Sequence, residues 1–123
     1  MLAGVCFAAA TIWPAASEVA RAHHSNAMFD KEVVREVTVV IKEFQWTNPH
    51  VWIQVYVEND AGEREEWSIE GGGPNTLFRN GWRKDSFKPG DVVEMKFSPM
   101  HDGSHAALFL GARFANGETL GNW

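Results

Sequence analysis

The chain has little cysteine and little surplus of positive charge. Cys6 is the single cysteine of 123 residues and lies in an N-terminal stretch that we expect to be removed. The mature protein would then have no disulfide and would depend on its hydrophobic core for stability. The 11 lysines and arginines are outnumbered by 16 acidic residues, for a net charge of -5. Because no basic stripe is present to neutralise phosphates, nucleic-acid binding is disfavoured.

Motifs of the common enzyme classes are also missing. The sequence contains no Gly-rich phosphate loop, no nucleophile elbow and no His-Glu-x-x-His zinc-protease signature. Glu65, Glu66 and Glu70 could supply paired carboxylates, but glutamates on a strand edge more often face solvent. The sequence therefore favours a binding or accessory protein over an enzyme.

The N-terminal stretch has the features of an export signal. Residues 1–17 carry no charged side chain, and the apolar run is shorter than the roughly 20 residues that span a bilayer. The segment Ala20-Arg21-Ala22 supplies small residues at the positions that a signal peptidase reads. We predict a signal peptide over residues 1–22, a single domain over 23–123, and a periplasmic or secreted bacterial protein without stable membrane insertion after cleavage. No Lys or Arg precedes the apolar run, so we expect either a weak leader or a longer one that starts earlier. A buried N-terminal helix is the alternative to a signal peptide.

Period-2 alternation of apolar residues predicts most of the mature chain to be strands. In the second of them, Val51, Ile53 and Val55 point to one face, whereas Trp52 and Gln54 point to the other. Pro74 and Gly81 are typical of the first position and the stop of a short helix. The predicted elements are strands over about 33–46, 50–58, 64–70, 91–98 and 106–114, a helix over 74–80, and a last short strand at 119–120.

The first predicted strand changes its buried face partway along. Val39 and Ile41 share one face, whereas Phe44 has the parity of Val40. Such a slip is typical of a bulge or sharp bend in a barrel strand. A bent first strand with a helix between strands three and four is the element order of the OB-fold. We therefore predict an all-β, OB-like, five-stranded antiparallel barrel, with a small antiparallel sandwich or another small barrel as alternatives.

Four segments of the chain resemble a group of small exported bacterial proteins catalogued as a domain of unknown function. They are Ala-His-His-Ser at 22–25, Trp-Thr-Asn-Pro-His-Val-Trp-Ile at 46–53, Pro-Asn-Thr-Leu-Phe-Arg-Asn-Gly-Trp at 74–82, and Lys-Pro-Gly-Asp at 88–91. The resemblance covers nearly the whole mature chain and implies a secreted single-domain protein, but no particular activity. The chain departs from the family's pattern at His101 and His105, where the resemblance implies no regular histidines, so it implies no family-wide site at these two positions.

The histidines form the first candidate site. They fall in three segments: His23 and His24, His50, and His101 and His105. In an OB-like barrel, the loops between strands one and two and between strands four and five flank the binding face. If the N-terminal arm folds back to them, the imidazoles could bind a late transition metal, and the thioether of Met100 would favour copper. Alternatively, His50 caps a turn and the other histidines are exposed to solvent.

Aromatic residues form the second candidate site. Trp52 and Tyr56 lie opposite the valine and isoleucine face of strand two, and we group Trp46 and Trp82 with them. They could form an outer platform that docks a periplasmic protein partner, as OB-fold surfaces use rings for stacking. The alternative is that these rings are covered as a second small core. A metal-dependent oxidative enzyme is the third functional hypothesis.

Overall fold

The computed structural model describes residues 25–123. The predicted signal peptide, with His23 and His24 after it, lies outside the described residues. The elements are a 3₁₀ turn at Ser25–Met28, strands β1 (Arg35–Gln45), β2 (Trp52–Glu58) and β3 (Arg64–Glu70), helix α1 (Pro74–Arg79), and strands β4 (Val92–Pro99), β5 (Ala106–Arg113) and β6 (Thr119–Gly121). No helix within this part of the chain is long and apolar enough to cross a bilayer.

The strands form a closed barrel in which β1 is the shared strand. β1 pairs with β2 and with β4, β2 pairs with β3, and β4 pairs with β5. The barrel closes where Ser68, Ile69 and Glu70 of β3 oppose residues 106–108 of β5. This architecture, with α1 between β3 and β4, confirms the predicted OB-like barrel. The closing pair is parallel rather than antiparallel, because β4 is antiparallel to both β1 and β5 and so β5 runs in the direction of β3.

The predicted break in β1 is confirmed as a bulge. Ile41 opposes Val55 and Glu43 opposes Gln54, so Lys42 is the extra residue. The bulge reverses the alternation, because an extra residue moves every later side chain to the other face. Phe44 consequently packs against the core.

The core is filled by alternating strand residues and, at one end, by aromatic rings. Trp82 is 3% exposed and makes edge-to-face contacts with Phe87 and Phe109, at centroid distances of 5.7 and 5.1 Å. Its position follows from α1, which begins at Pro74 and is stopped by Gly81 at φ +91°. Trp82 follows Gly81 directly, so the end of the helix places the Trp82 ring against Phe109 of β5.

The connection from β3 to α1 holds the loop between β1 and β2. The Val51 N–H donates to the Gly72 carbonyl at 3.0 Å, and the Gly71 N–H donates to the Val51 carbonyl at 2.9 Å. A Cβ atom on Gly71 would lie 2.6 Å from Cγ2 of Val51. A glycine at position 71 therefore lets the two backbones meet without a clash against the Val51 side chain. This contact fixes the position of His50, the residue before Val51.

Candidate functional site

The first polar pair joins the β1–β2 loop to the end of β3. Nδ1 of His50 contacts Oε1 of Glu70, whose side chain is only 7% exposed, whereas the His50 side chain is 36% exposed. Glu70 lies on the outer face of β3, in register with Trp52 of β2 and Leu108 of β5. Because Nδ1 is held by the carboxylate, Nε2 is the nitrogen left to face a ligand.

The second polar cluster lies in an open cleft of about 520 Å³ at the other end of β3. Its centre is the Glu65 carboxylate, which accepts hydrogen bonds from Nδ2 of Asn59 at 3.0 Å and from Nε1 of Trp67 at 3.2 Å. The bond from Asn59, then that from Trp67, lowers the pKa of the Glu65 carboxyl below its ordinary value. The cleft therefore holds a fixed, ionised carboxylate.

His105 forms one wall of this cleft. Its ring stacks on Trp67, with centroids 4.9 Å apart and planes inclined by 13°. Its Nε2 is 3.6 Å from Oε2 of Glu65. The Arg35 guanidinium lies 5.1 Å from the centroid of the same Trp67 ring. Stacking and charge together restrict the orientation of the imidazole.

The N-terminal arm pairs with the loop between β4 and β5. Phe29 forms an antiparallel bridge with Met100, and the His101 N–H donates to the Met28 carbonyl at 2.9 Å. Nδ1 of His101 is 3.8 Å from Oδ2 of Asp30. Sulfur Sδ of Met100 accepts a hydrogen bond from Oγ of Ser104 at 3.2 Å. The arm therefore reaches the loop that carries His101 and His105.

The structure brings His101 and His105 to one cleft but places His50 elsewhere. His105 contacts Trp67, which is buried on the inner face of β3, whereas His50 contacts Glu70 on its outer face. Residues 67 and 70 are also about 10 Å apart along a strand. Within residues 25–123, no three or more His, Cys, Asp or Glu side chains are grouped to hold a metal ion.

Of the four aromatic residues predicted for an outer face, two lie there. Trp52 and Tyr56 are half-buried on the outer side of β2. Trp82 is buried in the core and Trp46 packs against the core, so neither joins that face. Trp46 and Trp82 therefore do not belong to an outer platform. They are covered, as the alternative prediction had it.

Three residues of the cleft were not predicted as site residues: Arg35, Asn59 and Trp67. Asn59 lies in the turn between β2 and β3, and Trp67 belongs to the alternating pattern of β3. The inward parity of Trp67 was a usable signal, because inward-facing strand residues fill the interior of a small barrel. No sequence signal pairs Arg35 with Trp67, since 31 intervening residues separate them.

Comparison with known proteins yields one match. The model of a family of unknown function, DUF6152, matches residues 12–109, which is well over half of the chain. No curated protein matches the chain. No solved structure matches it either. The match includes β1 to β4 and the loop that carries His101 and His105, and it agrees with the resemblance seen in the sequence. The chain belongs to the DUF6152 family, a family of unknown function.

Proposed function

We propose that this protein is an exported binding module that holds a late transition-metal ion, copper foremost, at the loop between β4 and β5. The ligands would be His101 and His105, with Met100 beside them and His23 and His24 from the N-terminus. His50 is left out of the set, because its Nδ1 is engaged by Glu70 on the outer face of the barrel.

The observation that carries the proposal is the pairing of the N-terminal arm with this loop. The arm is attached by the bridge from Phe29 to Met100 and by the bond from the His101 N–H to the Met28 carbonyl. Ser25–Met28 form a 3₁₀ turn, which rises about 2 Å per residue, and each residue before it adds at most about 3.5 Å. The two N-terminal histidines can therefore reach positions within about 13 Å of Met28.

The donor types suit a soft or borderline metal. Imidazole binds copper, zinc and nickel, and a thioether favours copper in its reduced state. An N-terminal His23 would add an α-amine and a ring nitrogen as a chelate. Oε2 of Glu65 lies 3.6 Å from Nε2 of His105. A carboxylate in this position commonly orients a metal-ligating imidazole by binding the ring nitrogen that does not contact the metal. Within residues 25–123 no three acidic, Cys or His side chains are grouped, so the proposed set also uses Met100 and the N-terminal histidines.

The test is a copper titration of protein that begins with a free His23. We expect submicromolar binding by the wild type, measured by competition with a chromophoric chelator in both copper oxidation states. Changing His101 and His105 together to Ala should weaken binding by about 100-fold or more. Deleting His23 and His24 should weaken it as well.

His50→Ala is the matched control, since it removes a histidine of the same barrel from the other face. It should leave the affinity unchanged in samples whose folded state is verified by circular dichroism. If His50→Ala lost as much affinity as the His101 and His105 double variant, the metal site would not be confined to the β4–β5 loop and our proposal would be wrong about its position. A wild-type protein that binds neither copper, zinc nor nickel would overturn the proposal altogether.

Docking of a periplasmic protein partner through an aromatic face is the competing proposal. Its support is now limited to Trp52 and Tyr56, because Trp46 and Trp82 pack with the core. Partner capture that is lost in Trp52→Ala, by a protein indifferent to metals, would favour it over the metal site. Two half-buried rings are nevertheless a small anchor for a protein partner, since binding energy there usually comes from a cluster of buried rings.

A further inference from the structure

A row of polar and aromatic side chains follows the outer face of β2 and the loop before it. The row is His50, Trp52, Gln54 and Tyr56, and successive members are about 6.6 Å apart because alternate strand residues share a face. Apart from Val51, Ile53 and Val55, which point inward to the core, no aliphatic residue interrupts this segment. The row therefore offers rings and hydrogen-bonding groups side by side.

The imidazole at the start of the row is held by a buried charge. Glu70 is 5% exposed as a residue, and its carboxylate contacts Nδ1 of His50. Burying a carboxylate costs free energy that its partner must offset. The fold thus gives up stability to hold one imidazole in a fixed orientation, with Nε2 directed away from the carboxylate.

An amide pair lies next to the ring of Trp52. Nε2 of Gln54 donates to Oε1 of Gln45 at 3.2 Å, and Trp52 itself is in register with Gln45 on one side and Glu70 on the other. Each amide has two donor hydrogens and an acceptor oxygen. A planar ring flanked by amides and an oriented imidazole can stack on a flat molecule and bond to its edges at the same time.

The charges around the row leave a surplus of negative charge. Nζ of Lys42 lies 3.0 Å from Oε2 of Glu66, and the Arg64 guanidinium lies 4.5 Å from the centroid of the Tyr56 ring. Two further carboxylates belong to this face, because Glu43 is in register with Gln54 and Glu70 is in register with Trp52. The face therefore disfavours an anion such as a phosphate chain and suits a neutral ligand with many hydroxyl groups.

We propose that this outer face binds a neutral oligosaccharide. Trp52 stacks on the apolar C–H face of one sugar ring, while His50 and Gln54 exchange hydrogen bonds with hydroxyl groups of that ring and its neighbour. OB-folds bind oligosaccharides and oligonucleotides on the face of strands two and three, and the surplus of negative charge here disfavours the oligonucleotide. This site is separate from the proposed metal site and stands or falls independently of it.

The experiment is an NMR titration of ¹⁵N-labelled metal-free protein with tetrasaccharides of N-acetylglucosamine, glucose and mannose. We expect at least one of them to shift the backbone signals of residues 50–54 and the indole signal of Trp52. Trp52→Ala should weaken that sugar's binding by about tenfold or more, as loss of a stacking ring does. Gln54→Ala should weaken it less, because one hydrogen bond is lost.

Trp123→Ala is the matched control, since that ring lies between Lys96 and Arg113 on the β4–β5 side of the barrel. It should bind sugar as the wild type does. If Trp52→Ala lowers the folded fraction, Trp52→Phe keeps a smaller ring and should bind at an intermediate affinity. The proposal is overturned if none of the three sugars shifts residues 50–54, if shifts occur only in another part of the barrel, or if Trp52→Ala binds unchanged. Capture of a protein by this face without any sugar response would also overturn it.

Discussion

The rings of Trp67 and His105 are stacked across the seam where the barrel closes. Trp67 belongs to β3, and His105 immediately precedes the first residue of β5 that pairs with that strand. The His105 carbonyl also accepts a hydrogen bond from the Ser68 N–H at 3.0 Å. The proposed ligand His105 is thus fixed by the strand pairing itself.

Replacing Glu65 by Gln should destabilise the protein in a pH-dependent manner. The pKa of the Glu65 carboxyl is lowered from 4.5, first by the bond from Asn59 and then by that from Trp67. A carboxyl with a lowered folded-state pKa stabilises the fold at pH values above the unfolded pKa, and that stabilisation is lost as the pH falls through the folded pKa. Urea unfolding should therefore show a constant difference between wild type and Glu65→Gln above pH 4.5 that shrinks below it. The exposed Glu58→Gln is the control, and a difference that grows in acid would contradict the prediction.

Replacing His50 by Ala should lower the free energy of unfolding by about 2 kcal/mol, because it leaves the buried Glu70 carboxylate without its partner. The double variant His50→Ala, Glu70→Leu should regain part of this loss, since no charge is then buried. Urea unfolding at neutral pH measures both. Equal stability of wild type and His50→Ala would mean that Glu70 is solvated and does not fix the imidazole.

Replacing Gly71 by Ala should cost about 1–3 kcal/mol, as overpacking does, because the new Cβ would meet Val51 at 2.6 Å. Gly72→Ala is the control: its Cβ would lie 3.3 Å from the flexible end of Leu77, which can move aside. Thermal and urea unfolding compare the two. Adding Val51→Ala to Gly71→Ala should cost less than the sum of the single changes, and strict additivity would refute the contact.

Trp82→Ala should destabilise the protein far more than Trp52→Ala. Trp82 is 3% exposed among the aromatic rings of the core, where loss of an aromatic side chain costs about 3–5 kcal/mol. Trp52 is half-buried on the outer face, and its loss should cost about 1 kcal/mol. Urea unfolding decides the order. Similar losses for both variants would mean that Trp52 is a core residue and not part of a ligand face.

The sequence pattern predicted the bulge in β1 and the ends of α1, because both depend on neighbouring residues of the chain. The parity change between Ile41 and Phe44 predicted the bulge, because strand side chains alternate strictly. Pro74 and Gly81 predicted α1, since each suits one end of a helix. The element order then predicted the OB-like barrel.

Contacts between distant segments could not be read in the same way. The alternation of β3 shows that Trp67 and Glu70 face opposite sides, but which histidine meets each depends on how β3 pairs with β5 and with β2. Trp82 follows a turn, and its burial depends on where α1 packs. The stacking of His105 on Trp67 joins residues that are 38 positions apart. Such contacts follow from the closed barrel and not from the residues around them.

The closing pair of strands has a consequence for any ligand of the cleft. Only three residue pairs join β3 to β5, and the loop with His101 and His105 leads directly into them. A molecule bound between that loop and the Glu65 side of the cleft would contact both sides of the closing pair and hold β3 and β5 together. By mass action, such binding should slow hydrogen exchange at Ser68 and Ile69 more than at the β1–β2 pairs. Protection of these two amides would therefore report occupancy of the cleft even for a ligand that has no spectroscopic signal of its own.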